Sequence, residues 1–251
     1  MGRVSFFFAR RLKEQTPEKQ VSELLRDHTP LFYHALEYLD YETKWANPDC
    51  QWIMVKTDEF AEAPLPEFEE RMYAVIKELA MDRARRFYPE SVGIALPKDW
   101  NVRVVGSLKY DSPLDRLPKN YCNFHIANAV APKSIFTDPA YLPGCFLELM
   151  ARSEREYGYD TLTTATWLDD DPRWLALFPE EWHANLTPRK KVPGWDDGSW
   201  GQLVTARGTF NEKAGQYVRD HGELRYKQRG SHCSFEAMRK HLRELTRSGD
   251  K

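Results

Sequence analysis

The 251-residue chain has little of what marks the best-defined enzyme classes. It has no G-x-G-x-x-G fingerprint and no Walker loop, so nucleotide binding by those phosphate cradles is disfavoured. It has no G-x-S-x-G, so the exposed serine elbow of a hydrolase is absent. No apolar run approaches the ~20 residues that cross a bilayer, and a membrane-spanning role is not expected. Basic and acidic residues nearly balance, 36 against 38, for a net charge of −2. General nucleic-acid binding needs concentrated positive charge and is excluded on that ground. Internal repeats and low-complexity tracts are also missing.

Cysteine is sparse. Cys50, Cys122, Cys145 and Cys233 are dispersed, without a CxxC pair, as expected of buried thiols in a reducing compartment. The three phenylalanines at 6–8 precede Arg10 and Arg11, the reverse of a secretory leader, whose charges come before a longer apolar stretch. A cytoplasmic protein is expected. What the chain has in quantity is aromatic surface: 13 Phe, 12 Tyr and 8 Trp. That is enough for a sizeable core, and it excludes wholesale disorder.

Periodicity divides the chain at about residue 90. Val4–Ala9 reads as a first strand. Residues 17–39 read as a helix with a kink or break near Thr29, because Pro30 lies inside the apolar repeat. Residues 52–55 read as a strand and 67–88 as a second helix, ended by Pro89. Strands follow over 102–105, 121–130 and 161–168, with helices over 143–157, 171–178, 211–221 and 234–246. Residues 200–210 fit either a strand or a helix start. The expectation is one domain with three regions: a helical half (1–90), a sheet-containing core (91–186), and a loop with C-terminal helices (187–251). Its class is α+β, close to α/β, with a central mixed sheet flanked by helices.

Four polar segments stand out. Asn123 and His125 share one face of a strand that should be central, with Asn128 just beyond. Either they are buried and satisfied by neighbouring backbone, or His125 sits at a cleft as a general acid or base. Asp169, Asp170 and Asp171 follow a strand. They offer oxygen ligands for Mg²⁺, or else Asp170 or Asp171 caps the helix that Pro172 opens. Trp200, Gln202 and Arg207 lie among glycines; Arg207 would meet a ligand carboxylate or phosphate, or form an internal ion pair. His232 and Cys233 lack the helical spacing of zinc ligands, and no metal is expected. A Cys233 nucleophile would need a histidine close in space. The 13-residue loop from Thr187 to Ser199 carries Trp195, read as a lid anchor or as a stranded surface indole.

Residues 102–182 resemble the second half of a GCN5-related N-acetyltransferase. The order of the elements carries the likeness: a central strand Asn123–Val130, then Ala131 and Pro132, a long helix to Gly158, a strand at 161–167 and a short helix at 171–178. The resemblance implies an N-acetyltransferase-like fold with a C-terminal helical extension, acetyl-CoA or another acyl-CoA as cofactor, and acyl transfer to a small molecule. It assigns the CoA phosphates to Lys133 and the backbone around Gly144. The intervening segment departs from the family's small-residue loop, being longer and bearing Phe136, Tyr141 and Asp138. On this reading His125 or Glu181 is the base. Asn123, Asn128, Trp167, Trp200, Gln202 and Arg207 line an aromatic pocket. The alternatives are a proton-transfer isomerase, cyclase or lyase acting on an apolar substrate, and a non-catalytic binding protein whose aromatic surplus forms a homodimer interface.

Overall fold

The computed structural model describes residues 2–29, 58–74, 103–193 and 198–249. The expected strand at 52–55, the continuations of two helices beyond residues 29 and 74, and Trp195 lie outside them. The chain divides into two compact units: Met1–Ile94 with Val192–Val204 and Phe210–Arg225, and Ala95–Lys191 with Thr205–Thr209 and Tyr226–Lys251.

The first unit is helical. The segment read as a strand, Val4–Ala9, is instead part of helix α1, Gly2–Gln15. Strand propensity of the phenylalanines suggested the wrong period. The buried set Ser5, Phe8, Ala9 and Leu12 runs i, i+3, i+4, i+7, which is a helix stripe. Helix α2, Val21–His28, starts after a turn rather than at Pro17; Glu23 reaches back to the Gln20 N–H at 2.8 Å. It stops at Thr29, which Pro30 forces into extended backbone at φ −135°, ψ 152°. Phe6 packs edge-on against Phe68 of a helical stretch over 65–74, with ring centroids 5.8 Å apart. Phe8 packs likewise against Trp200, at 5.3 Å.

The second unit holds a five-stranded mixed sheet and is α+β. Its strands are β1 (Val104–Val105), β2 (Leu108–Tyr110), β3 (Tyr121–Ile126), β4 (Thr161–Thr166) and β5 (Arg229–Ser234), ordered as numbered. All neighbours are antiparallel except β3 and β4. A parallel pair requires a crossover, and helix α3, Tyr141–Tyr157, supplies it. Gly158 ends that helix in the left-handed conformation. Helices α4 (Pro172–Leu175) and α5 (Glu180–Ala184) follow β4. In the first unit α6 spans Glu212–His221, and α7, Phe235–Gly249, closes the chain's second unit.

Alternation along the strands sorts the two faces. Leu108, Tyr110, Cys122, Phe124, Leu162 and Cys233 are buried against α3, α4, α5 and α7. Phe124 lies 5.5 Å from Phe146, 6.4 Å from Trp174 and 6.3 Å from Trp182. The other face carries Lys109, Tyr121, Asn123, His125, Thr163 and His232, all half-buried or exposed. The outer edge of β5 is covered: Thr187 N–H donates to Gly230 O at 2.9 Å, and Lys190 N–H to Gln228 O at 2.9 Å.

The β1–β2 turn has two residues, Gly106 and Ser107, and only Gly106 has positive φ, at +56°. That is the II′ pattern, with glycine first. A Cβ there would sit 2.5 Å from Cys145 Sγ and 2.9 Å from Tyr141 Oη. Gly106→Ala should therefore cost about 2–4 kcal/mol, from the left-handed backbone and from overpacking together. Urea unfolding checks this; a loss under 1 kcal/mol would show that the turn rearranges freely.

Candidate functional site

The open sheet face brings His125 to Asp111, the residue after β2. The β2–β3 register carries on past the strand, so that Asp111 N–H donates to Asn123 O at 2.9 Å, and the Tyr159 hydroxyl donates to Asp111 O at 3.2 Å. Its backbone is thus fixed on both sides. The Asp111 Oδ2 atom accepts from Asn123 Nδ2 at 2.6 Å and from His125 Nε2 at 2.9 Å. Burial pushes the Asp111 carboxyl up, but the hydrogen bonds from His125 and Asn123, with the charges of His125 and Lys109, hold it below its usual range. The His125 side chain is 57% exposed and that of Asp111 22%.

This geometry sets the tautomer. Nε2 carries the proton given to the carboxylate, and Nδ1 is left as an acceptor toward solvent. The expectation that a central strand buries both faces fails here: β3 is central, yet His125 faces out. His125 and Asn123 do share a face, and they are joined by a side chain rather than by neighbouring backbone.

The other expected site residues have different work. Glu181 accepts from Ser234 N–H at 3.0 Å and Ser234 Oγ at 2.8 Å, holding the start of α7. Asn128 donates to Lys133 O at 2.9 Å and accepts from Val130 N–H at 3.2 Å, pinning the turns after β3. Trp167 stacks on Tyr226 with centroids 5.8 Å apart. Trp200 and Gln202 are buried in the first unit, where Trp200 donates to His28 O at 3.0 Å and Gln202 to Ser199 O at 2.9 Å. Arg207 is exposed on the turn closed by the Val204–Phe210 bridge and pairs with no carboxylate among the described residues. The aromatic surplus fills cores: Trp174, Trp182, Phe146 and Phe178 are each 1% exposed or less.

The start of α3 does not suit a pyrophosphate. Gly144 N–H is already given to Ala140 O at 3.1 Å, and Tyr141 N–H to Asp138 O at 3.2 Å. Pro143 has no N–H, and the Asp138 carboxylate takes the Ala140 N–H at 2.9 Å. These three N–H groups are committed, and an anion stands at the helix entrance. Lys133 is exposed; its backbone N–H donates to Val130 O at 2.9 Å and its carbonyl accepts from Asn128 at 2.9 Å.

The aspartate triplet is likewise divided. Asp171 caps α4, accepting from Arg173 N–H at 2.9 Å. Asp170 pairs with Arg189 at 2.7 Å and accepts from Lys227 N–H at 3.1 Å. Asp169 is fully buried and accepts from the indoles of Trp174 and Trp182, both at 3.1 Å. The three do not converge on a cation. His232 and Cys233 point to opposite faces of β5. Burial pushes the Cys122 thiol up to about 12 and also raises the Cys233 thiol, which favours the protonated, unreactive form of both.

Compared with known proteins, the chain matches no family model, no curated protein and no solved structure.

Proposed function

We propose that the chain is an enzyme of small polar molecules in which His125, held by Asp111, removes a proton from the attacking group of its substrate. The carrying observation is the 2.9 Å contact between Nε2 and a partly buried carboxylate on an otherwise exposed imidazole. A general base needs an acceptor nitrogen open to substrate and a partner for the cation it becomes; Nδ1 and Asp111 provide these.

The position supports the same reading. The parallel ladder ends at Asn123 and Thr163, and His125 lies just beyond, at the carboxyl end of β3. Crevices at the carboxyl ends of parallel strands are where ligands bind in open sheets. One parallel pair joined by a long crossover helix, within an otherwise antiparallel sheet, favours an N-acetyltransferase-like scaffold, with acyl transfer from an activated ester or thioester to an amine or hydroxyl as the reaction, the donor's alcohol or thiol leaving. The Gly144 region does not fit the diphosphate of an acyl-CoA, and the chain's own part is on the acceptor side: His125 takes the proton as the nucleophile attacks. A polar, open face does not suit an apolar substrate, which weighs against the isomerase or lyase alternative.

Hydrolysis and aminolysis of p-nitrophenyl acetate by the full-length protein test this. Diethylpyrocarbonate should abolish the rate. A rate equal to that of free imidazole at the same concentration would overturn the reading.

A further inference from the structure

The face that carries His125 also carries His232. Register places Asn123 beside Thr163 and Thr163 beside His232, so one row crosses three strands. Neighbouring strands lie ~4.8 Å apart, which separates the row's ends by about 10 Å at the backbone. His125 is two residues further along β3, roughly 7 Å. The His232 ring leans back over β4: its centroid is 5.7 Å from that of Tyr121 on β3. Its backbone is held from both sides, by the β4 ladder and by Asn185 Nδ2, which donates to His232 O at 3.2 Å.

The polar groups around this row are unevenly committed. Asp111 is taken by Asn123 and His125, Asp160 by Asn120 at 2.8 Å and Thr161 at 2.7 Å, and Glu181 by Ser234. The Thr163 hydroxyl donates to Ser231 O at 2.9 Å. Each of these three carboxylates therefore has a partner among the described residues. The row ends in a proton acceptor, Nδ1 of the exposed His125 ring, and in two half-buried groups able to donate, the His232 imidazole and the Tyr121 hydroxyl. A ligand matching this polarity gives up a proton at one end and presents an anion at the other.

We infer that His232 and Tyr121 bind the carboxylate of an extended amino-acid-like acceptor whose amine lies at His125. The inference rests on the role proposed above for His125. His232 is then a substrate-binding residue and takes no proton from the reacting amine. The separation along and across the strands selects an acceptor with its amine and carboxylate several carbons apart.

Imidazole resonances of the full-length protein, followed by NMR during titration, test this independently of turnover. γ-Aminobutyrate should shift both His125 and His232, whereas butylamine, which lacks the carboxylate, should shift His125 alone. Loss of a hydrogen bond to a charged group is worth about 1.5–3 kcal/mol, so His232→Phe, which keeps a ring beside Tyr121 but has no donor, should weaken γ-aminobutyrate at least about tenfold and leave butylamine binding unchanged. Tyr121→Phe should weaken it less. An unshifted His125 spectrum in the ligand-free variants shows that the sheet is intact. Absence of any His232 shift, or equal affinity for γ-aminobutyrate in His232→Phe and the parent, would overturn the proposal. Failure of the His125 assignment would show separately, as ester hydrolysis indifferent to His125→Gln.

Discussion

His125→Gln should lower turnover of a proton-requiring substrate by roughly 10²–10⁴-fold, the usual worth of a positioned general base. Folding stability should change by less than about 1 kcal/mol, since the side chain is mostly exposed and leaves no buried cavity. Asp111→Asn isolates the second half of the pair. An amide oxygen in the place of Oδ2 can still accept from Nε2 and Asn123, so the geometry survives while the charge does not. The imidazolium formed on proton abstraction then has no counter-charge, and the rate should fall on the order of 10²-fold. Asp111→Asn should also alter the acid limb of stability. The carboxyl is held below its usual range in the folded protein, so it contributes stability that is present above its unfolded value and is lost as pH falls through the folded one. The variant should lack that loss. Steady-state rates with acid unfolding of both variants check the pair; a fully active His125→Gln would end the general-base assignment.

How far the sequence led to this site depends on which contacts are local. The spacing of Asn123 and His125 placed them on one face, and Asp171 before Pro172 announced a capped helix; both rest on neighbours in the chain. The long helix before Gly158 was legible for the same reason. Asp111 was not, because it reaches His125 across a ten-residue connection whose register no local pattern encodes. The openness of β3 was equally hidden. A six-residue alternation of Cys122, Phe124 and Ile126 with polar residues is in hindsight the pattern of a strand with one wet face, but its central position argued for two buried ones. The phenylalanine run in α1 was misread because three adjacent aromatics obscure the period that Ser5, Ala9 and Leu12 reveal. Trp200 and Gln202 were chosen for their composition, and composition does not distinguish a ligand pocket from a core.

Asp169 was seen only as one member of a triplet, yet it should be the residue whose loss costs the second unit most. Its Oδ1 accepts two buried indole N–H groups, which no other acceptor among the described residues replaces. Asp169→Ala strands both donors in a packed aromatic core, at about 1–3 kcal/mol each, and adds a cavity; the total should be roughly 3–6 kcal/mol. Asp169→Asn keeps the accepting oxygen and removes the ionisation. Burial pushes the carboxyl up to about 7, against the opposing hydrogen bonds of Trp182 and Trp174 and the charge of Arg229. Because the folded value lies above the unfolded one, the carboxyl's contribution is fully present below the unfolded value near 3.8 and is lost as pH rises to about 7. The parent should therefore lose stability across that window, while Asp169→Asn should not. At pH 8 the amide variant should be the more stable, by on the order of 2–4 kcal/mol. Urea unfolding of the parent and both variants at pH 5 and pH 8, followed by tryptophan fluorescence, separates the effects. If Asp169→Asn is as damaging as Asp169→Ala at pH 8, the charge and not the accepting oxygen is what the two indoles require, and the folded protein does not disfavour the ionised acid.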